Sequence, residues 1–275
     1  MTRACHAGQA MAADDEQPTR TLLLLRHGQS TANAEDRFAG WLDVPLTVRG
    51  KREAVRAAQL MDEHSVVPSV VHSSVLIRAT RTADIVLGTL RRPWVPIHRT
   101  WRLNERHYGA LQGRRKSEVR ASVTEDTFQH WRRAYRGRPP AGDNQSDLAL
   151  DPRYALLPLE LDALPHSESL RDVQARMLPY WYEEIVPTLA ASQVTLIVAH
   201  GSPLRALIMH LDRISESGIA TVNVPTGIPL RYDLDEHLVP RTPGGVYLDP
   251  AAAIKGAAEV AAQGAMPAAP GDRRR

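Results

Sequence analysis

The chain has 275 residues and a formal charge of +3, a length that suits one large α/β domain. Its single cysteine, Cys5, excludes an intramolecular disulfide bond. No run reaches the ~18 apolar residues of a membrane-spanning helix, and no apolar core of a secretory signal is present, so we expect a cytoplasmic protein. The basic residues form no stripe interleaved with aromatic residues, so we expect neither a nucleic-acid nor a membrane partner.

Strands and helices alternate in the first half of the chain. Residues 1–20 lack periodicity and are predicted to be a disordered tail. The predicted elements that follow are a buried strand over Thr21–Leu25, a loop over Thr31–Trp41, a helix from its cap Thr47 to about His64, a strand over Ser69–His72, a helix opening at Ser74, a strand over Pro93–Ile97 and a helix over Glu125–Tyr135.

The second half continues the alternation after a long polar segment. In chain order we predict a loop over Gly137–Pro165, a helix from its cap Ser167 to about Leu189, a strand from Val194, a helix with Ser202 as cap and Pro203 as first residue, a last strand over Ile228–Asp233, a weak alanine-rich helix over 250–264 and a disordered end over Gly264–Arg275. This alternation favours a mostly parallel sheet with helices on both faces.

Two of the apolar strands end in the same dipeptide. Arg26-His27-Gly28 follows the first, and His200-Gly201 follows the strand that begins at Val194. Ligands of open α/β sheets bind beyond the carboxyl ends of the strands, where Gly28 lets the backbone approach a ligand closely. A lone strand-end histidine is usually structural, but two such turns, one beside an arginine, favour a paired-histidine site for phosphate.

Together with longer strings, these turns resemble the bisphosphoglycerate-dependent phosphoglycerate mutases of the histidine phosphatase superfamily. The matching strings lie between about Thr21 and Gly264 and are Phe38–Asp43, Ser74–Ala79, Trp101–Gly113, Trp131–Arg133 and Asn223–Pro229. The resemblance implies a three-layer α/β/α sandwich with a mostly parallel central sheet. It places a catalytic domain at 21–249, with cap insertions near 98–165, and a partly helical C-terminal tail at 250–275.

The resemblance also implies which residues form the site. His27 would be the nucleophile that becomes phosphohistidine, and Glu105 would be a general acid/base with a raised pKa. The other catalytic residues would be Arg26, Arg78 and His200, and the substrate-binding residues would be Ser30, Asn33, Gly40, Tyr108, Lys116, Arg132, Arg133, Gly201 and Ser202. Without the resemblance, Glu105 beside Arg106 would be read as a surface ion pair, Arg132 and Arg133 as a solvated helix face, and Ser30 and Asn33 as loop hydrogen bonds.

The motifs favour a reaction without a metal ion. The chain has no His-Glu-x-x-His or Cys-x-x-Cys motif, and arginine beside His27 would repel a cation. The resemblance implies 2,3-bisphosphoglycerate as the phosphoryl primer and phosphoglycerates as substrates. It further implies a homo-oligomer, either a dimer or a tetramer.

The resemblance predicts the interconversion of 3- and 2-phosphoglycerate in glycolysis and gluconeogenesis. The sequence departs from the family at Ala39, where threonine is usual, and at Ser202-Pro203, where Asn-Ser is usual. These changes affect substrate contacts rather than the nucleophile. Two alternatives stay open, namely a phosphatase of small phosphate esters and a catalytically weak regulatory or binding protein that keeps the fold.

Overall fold

A central sheet organises the computed structural model, which describes residues 20–142, 151–155 and 164–265. Within these ranges the strands are β1 Arg20–Arg26, β2 Val70–Ser73, β3 Ile97–Arg99, β4 Val194–Ala199, β5 Leu230–Leu234 and β6 Val246–Tyr247. They form a six-stranded sheet in the order β3-β2-β4-β1-β5-β6. Strands β1 to β4 are parallel to one another, whereas β5 is antiparallel to β1 and to β6.

Helices connect the strands and cover the sheet. They are α1 Thr31–Ala34, α2 Val48–Glu63, α3 Ile77–Thr89, α4 Lys116–Ser122, α5 Glu125–Arg133, α6 Pro152–Ala155, α7 Leu170–Tyr180, α8 Val186–Ala191, α9 Gly201–Leu211 and α10 Pro250–Ala262. A π-helical turn, Trp181–Ile185, joins α7 to α8. None of the helices in the described ranges is both long and apolar enough to cross a membrane.

The leucine run of β1 packs into two separate cores. Leu22 and Leu24 join a cluster with residues of α7, α8 and α9, and Leu23 and Leu25 join a cluster with residues of α2 and α3. Successive side chains of a strand point to opposite faces, so an uninterrupted apolar run is what a sheet covered on both sides requires. Each of the four leucines is at most 1% exposed, which contributes roughly 1.5–3 kcal/mol per side chain. The predicted three-layer α/β/α fold is confirmed.

Two strand predictions are corrected by the structure. The third strand covers Ile97–Arg99 rather than Pro93–Ile97, because the chain turns at Val95, whose N–H bonds the Arg92 carbonyl at 3.2 Å. The strand that ends at Leu234 is not the last one, since the two-residue β6 pairs with it. A strand as short as β6 has too few residues to show an alternating pattern.

Three predicted helix starts are also wrong. Helix α3 begins after Leu76 rather than at Ser74. Helix α7 begins after Ser169 rather than Ser167, because Ser169 and Asp172 form a reciprocal capping box. Helix α9 begins after His200, whose backbone is still extended. Ser202 is therefore not its cap, and Pro203 is not its first residue.

The remaining predictions differ in extent or fall outside the described ranges. Helix α5 ends two residues before Tyr135, and the predicted loop over Thr31–Trp41 contains the four-residue α1. Helix α10 lies within the predicted span 250–264. Of the predicted disordered tails 1–20 and 264–275, residues 1–19 and 266–275 lie outside the described residues. The prediction is wrong for Arg20, which belongs to β1, and for Gly264, whose N–H donates to Asp36 at 2.8 Å. Residues 143–150 and 156–163 of the predicted loop also lie outside the described residues, and the loop contains α6.

Candidate active site

The two histidine turns meet at the carboxyl edge of the sheet. Strands β1 and β4 are parallel neighbours with Arg26 opposite Ala199, so the residues that follow them are adjacent. The His27 N–H donates to the Ala199 carbonyl at 3.0 Å, and the imidazole centroids of His27 and His200 lie 4.9 Å apart. Both histidines are buried, so the pairing predicted from the two dipeptides is present in the structure.

The environment of His27 leaves one ring nitrogen with an available lone pair. Its Nδ1 lies 2.7 Å from the Gly28 carbonyl oxygen, which can only accept, so Nδ1 carries the proton. Nε2 is therefore unprotonated and accepts a hydrogen bond from Arg78 Nε at 3.3 Å. Burial, together with the charges of Arg78 and Arg26, lowers the pKa of His27 well below 6.5. A neutral imidazole whose Nε2 carries no proton is a competent nucleophile.

The turn after His27 is fixed by a close approach of two backbones. A Cβ on Gly28 would lie 2.1 Å from the carbonyl oxygen of Gly50, in the first turn of α2. A Cβ on Gly50 would in turn lie 2.1 Å from the Gln29 carbonyl. The predicted need for glycine at position 28 is therefore real, but the group that approaches it is helix backbone rather than a ligand.

His200 is held by a residue that the sequence interpretation did not select. Its Nε2 lies 2.7 Å from Ser74 Oγ, and its buried Nδ1 has no hydrogen-bond partner in the described part of the chain. Burial and the neighbouring Arg78, His27 and Arg26 lower its pKa well below 6.5. Ser74 directly follows β2, so the strand-end rule that selected both histidines also points to this position.

Two buried arginines flank His27. Arg78 donates to the carbonyls of Gly40 and Leu42 at 2.7 and 2.9 Å, and Arg26 donates to the Val224 carbonyl at 2.8 Å. Burial lowers the pKa of Arg78 to about 10, so Arg78 stays cationic at neutral pH. Burial also lowers the pKa of Arg26, against the opposing charge of Glu105. The Nε of Arg26 is buried without a partner among the described residues, which suits an anion at this position.

Glu105 lies beside the start of α9, and its protonation differs from the prediction. Its Oε1 accepts from the N–H groups of Arg106 and Ser202 at 2.8 and 3.1 Å. Burial raises its pKa, but the hydrogen bonds of Ser202 and Arg106 and the charges of Arg26 and Arg78 outweigh burial, so its pKa is lowered. The expectation of a raised pKa is wrong for the ligand-free protein, because the sequence does not reveal these donors.

A cavity at the sheet edge collects the predicted site residues, and we call it the catalytic cavity. Arg26, His27, Arg78 and Glu105 line it. His200 is not part of the lining but packs behind it against the ring of His27. Each predicted substrate-binding residue also lines it, namely Ser30, Asn33, Gly40, Tyr108, Lys116, Arg132, Arg133, Gly201 and Ser202. Ser30 and Asn33 at the same time form the capping box of α1, so their local hydrogen bonding and their place on the cavity wall coexist.

The outer wall of the catalytic cavity is bound to the end of α10. Arg132 and Arg133 each donate through Nη2 to the Val260 carbonyl, at 2.8 and 3.1 Å. Lys116 Nζ donates to Asp36 Oδ1 at 3.2 Å and to Gln263 Oε1 at 3.0 Å. Burial lowers the pKa of Lys116 to about 8. These donors now bind protein oxygens, and a ligand carboxylate or phosphate could replace those oxygens.

Sequence reasoning also missed Arg37 and Arg205, which line the same cavity. Arg205 follows Gly201 by four residues on α9, a helical spacing that would have placed it near the site. It donates to the Arg133 carbonyl at 3.0 Å, and burial lowers its pKa to about 9. Counted over the described residues, the lining holds seven arginine and lysine side chains and one carboxylate. Such a cavity fits a ligand with more than one anionic group.

Within ranges 20–142, 151–155 and 164–265, no group of three or more His, Cys, Asp or Glu side chains is arranged to hold a metal ion.

The fold and the strand-end histidines define an α/β protein of the histidine phosphotransfer class. The profile of the Histidine phosphatase superfamily (branch 1) matches residues 22–155 and 145–228. The 2,3-bisphosphoglycerate-dependent phosphoglycerate mutase of Rhodococcus opacus (strain B4) is 52% identical over 248 residues, which cover 90% of this chain and 97% of the relative. The protein of the same name from Clavibacter sepedonicus is 53% identical, with coverage of 89% and 97%.

A solved structure shares the fold at lower identity. The mycobacterial glucosyl-3-phosphoglycerate phosphatase complexed with VO3 matches with a TM-score of 0.60 and 25% identity, covering 78% of this chain and 92% of the other. The chain therefore belongs to the histidine phosphatase superfamily and, within it, to the family of 2,3-bisphosphoglycerate-dependent phosphoglycerate mutases. The resemblance inferred from the motifs is confirmed.

Proposed function

We propose that the protein interconverts 2- and 3-phosphoglycerate through a phosphohistidine at His27, primed by 2,3-bisphosphoglycerate. The observation that carries this proposal is the unprotonated Nε2 of His27 inside a cavity lined by seven cations. The names of relatives at 52–53% identity support the same reaction and, through it, a role in glycolysis and gluconeogenesis.

Phosphoryl transfer to His27 needs only groups of this chain. Nε2 of His27 attacks phosphorus, the bond from phosphorus to the glycerate oxygen breaks, and a bond from Nε2 to phosphorus forms. Arg78, which already donates to Nε2 of His27, and Arg26 stabilise the negative charge on the equatorial oxygens. His200, whose ring centroid lies 4.9 Å from that of His27 and whose buried Nδ1 has no partner among the described residues, is proposed to contact the same phosphoryl group. Phospho-His27 then donates its phosphoryl group to the free hydroxyl of a monophosphoglycerate, which regenerates 2,3-bisphosphoglycerate in the site. After this molecule reorients, Nε2 of His27 takes the other phosphoryl group, and the isomeric monophosphoglycerate leaves.

Glu105 is proposed to move the proton of the substrate hydroxyl. In the ligand-free state the carboxylate is ionised, because Arg26 and Arg78 and two N–H groups stabilise its charge. A phosphoryl group bound beside His27, whether still on the substrate or already on Nε2, neutralises these arginines and repels the carboxylate, which raises the pKa of Glu105. The carboxyl group can then accept the proton from one hydroxyl and return it to the other leaving oxygen.

The outer cations are proposed to hold the rest of the substrate. Lys116, Arg132 and Arg133 bind the carboxylate and the non-transferring phosphate, with Tyr108 on the same wall. Arg26 and the outer cations together fit the two phosphates and one carboxylate of 2,3-bisphosphoglycerate. These cations are also the observation that favours a mutase over a phosphatase of simple esters, since such esters offer one anionic group to bind.

A parallel assay of isomer exchange and phosphate release, with and without 2,3-bisphosphoglycerate, tests the proposal. We expect isomer exchange that depends on the primer and exceeds phosphate release, with His27→Ala inactive in both assays. Phosphate release alone would support the phosphatase alternative, which agrees with the name of the solved phosphatase that is 25% identical to this chain. Neither activity, with ligand binding retained, would support the catalytically weak binding protein.

The proposal extends to the cellular setting and the assembly of the protein. We propose that the enzyme acts in the cytoplasm, where phosphoglycerates are metabolised, and that it forms a dimer or tetramer without nucleic-acid or membrane partners. Light scattering after gel filtration tests this, and a monomeric mass for the unaltered chain would contradict it.

A further inference from the structure

The segment that carries Glu105 depends on another helix for its backbone hydrogen bonds. After a short 3₁₀ turn that ends at Leu103, residues 104–108 belong to no helix or strand. Arg176 on α7 donates through Nη2 to the carbonyls of Asn104 and Glu105, at 2.9 and 3.0 Å. Its Nη1 donates to the Arg102 carbonyl at 2.7 Å. One guanidinium therefore satisfies three backbone carbonyls, that of Arg102 in the 3₁₀ turn and those of Asn104 and Glu105 in the irregular segment.

A buried carboxylate orients this guanidinium and holds the other side of Glu105. Glu168 Oε1 lies 2.6 Å from Arg176 Nε, and Oε2 lies 3.1 Å from Nη2. The two side chains are 5% and 7% exposed. Glu168 Oε2 also accepts from the His107 N–H at 2.8 Å. The Glu168–Arg176 pair thus binds the backbone on both sides of the Glu105 side chain.

Trp41 adds a second donor to the same carbonyl. Its indole Nε1 lies 2.6 Å from the Glu105 carbonyl oxygen, and the ring is 2% exposed. The Arg176 guanidinium lies 5.8 Å from the ring of Trp41 and 5.9 Å from the ring of Trp101. With two donors on one carbonyl, the peptide plane from which the Glu105 side chain extends is fixed.

We propose that Glu168, Arg176 and Trp41 are positioning residues that aim the Glu105 carboxyl group at the leaving oxygen. The inference rests on the proton-transfer role proposed above for Glu105. When the Nε2–phosphorus bond of His27 forms and the phosphorus–oxygen bond breaks, the proton on Glu105 passes to the departing alkoxide. A displacement of the carboxyl group by about 1 Å can lower the rate of such a step by roughly 10²-fold. A buried ion pair is a poor source of stability in itself, which leaves positioning as its advantage.

The dependence of the rate on the leaving group tests this inference. Transfer from 2,3-bisphosphoglycerate expels an alkoxide that needs a proton, whereas transfer from acetyl phosphate expels acetate, which does not. The rate of His27 phosphorylation in a single turnover is measured with each of these two donors. The variants are Arg176→Lys, Glu168→Gln and Trp41→Phe, and each rate is normalised to the fraction of protein that becomes phosphorylated. Arg136→Lys and Glu216→Gln are the matched controls, because this bidentate pair is exposed by 60% and 50%.

We expect the rate of His27 phosphorylation in the three positioning variants to fall roughly 10- to 100-fold with bisphosphoglycerate and much less with acetyl phosphate. Glu105→Gln should show the same selectivity. Trp41→Phe keeps an aromatic side chain and removes the Nε1 donor, so it tests the inference even if the Arg176 and Glu168 variants fold poorly. Equal losses with both donors, or no loss with either, would overturn the positioning role. If Glu105→Gln itself shows no selectivity, the proton-transfer role fails and the inference fails with it.

Discussion

The Nε of Arg78 donates a hydrogen bond over 3.3 Å to Nε2 of His27, the same lone pair that must attack phosphorus. The two groups are held apart from solvent, with Arg78 1% and His27 2% exposed. When the lone pair bonds to phosphorus, Arg78 loses this acceptor and gains phosphoryl oxygens in its place. The resting contact therefore keeps the guanidinium within reach of the group that it has to stabilise.

This geometry predicts the site of phosphorylation within the imidazole. Incubation with 2,3-bisphosphoglycerate should give an acid-labile phosphate on Nε2 of His27, because Nδ1 is protonated and bonded to the Gly28 carbonyl. Peptide mapping identifies the residue, and NMR of the phosphorylated protein identifies the nitrogen. His27→Ala should abolish the label. A phosphate on Nδ1, or on another histidine, would contradict the assignment.

Glu105→Gln keeps the shape of the side chain and removes proton exchange. Turnover of phosphoglycerate should fall by roughly 10²–10⁴-fold, the usual effect of a positioned acid/base. Steady-state isomer exchange measures this, with the exposed Glu216→Gln as a control for general effects. Unchanged turnover would mean that Glu105 only accepts the N–H groups of Arg106 and Ser202 at the start of α9.

Activity should not depend on a divalent cation. The arginines around His27 supply the positive charge that a metal ion supplies in other phosphotransferases. Isomer exchange is measured after dialysis against EDTA and again after addition of manganese or zinc. Complete loss of activity with EDTA that either metal restores would refute the prediction.

The location of the site follows from local sequence, whereas its electrostatics do not. An apolar run that ends in His-Gly identifies both a strand and its carboxyl end, so His27 and His200 could be placed together. Ser74 follows β2 and bonds His200, and Arg205 lines the cavity from α9. Position in the chain points to both residues, but neither stands in a motif as specific as His-Gly. The pKa of Glu105 depends on donors 97 positions away in sequence, as the Ser202 contact shows. No pattern within the Glu105 string reveals that contact.

Buried histidines should make the fold less stable in mild acid. Burial, with a smaller effect of His98, lowers the pKa of His72 to about 4, from 6.5 for the unfolded chain. The unfolded state therefore binds the proton first, so stability is full above pH 6.5 and is lost as the pH falls towards 4. At pH 5 the loss for this one side chain is on the order of 2 kcal/mol.

Urea unfolding at pH 7 and pH 5 measures this loss. His72→Gln can still bond to Tyr180 and Thr188, the present partners of the imidazole, and should make the free energy of unfolding less dependent on pH. His237→Gln, at an exposed position, is the control. An equally steep pH dependence in His72→Gln and the unaltered protein would show that His72 is not responsible.

The residues that depart from the family should control how much of the phosphoryl group is lost to water. A mutase must retain its phosphoglycerates throughout, 2,3-bisphosphoglycerate while it reorients and the monophosphoglycerate while phospho-His27 is open to attack by water. Ala39 and Ser202 both line the catalytic cavity, where Ala39 offers no hydroxyl and Ser202 is shorter than asparagine. A hydrogen bond to a charged group contributes ~1.5–3 kcal/mol, so each missing contact speeds the escape of the intermediate.

We therefore expect a working mutase with a higher ratio of phosphatase to mutase turnover than relatives that carry the usual residues. Ala39→Thr combined with Ser202→Asn should lower this ratio by roughly tenfold or more, the effect of one restored contact. The Ser202 N–H bond to Glu105 involves the backbone, so the substitution can leave it in place. Both rates are measured on the same preparations, with Ala191→Thr at an exposed position as control. A ratio that stays level or rises in the double variant would show that these two positions do not limit the loss to water.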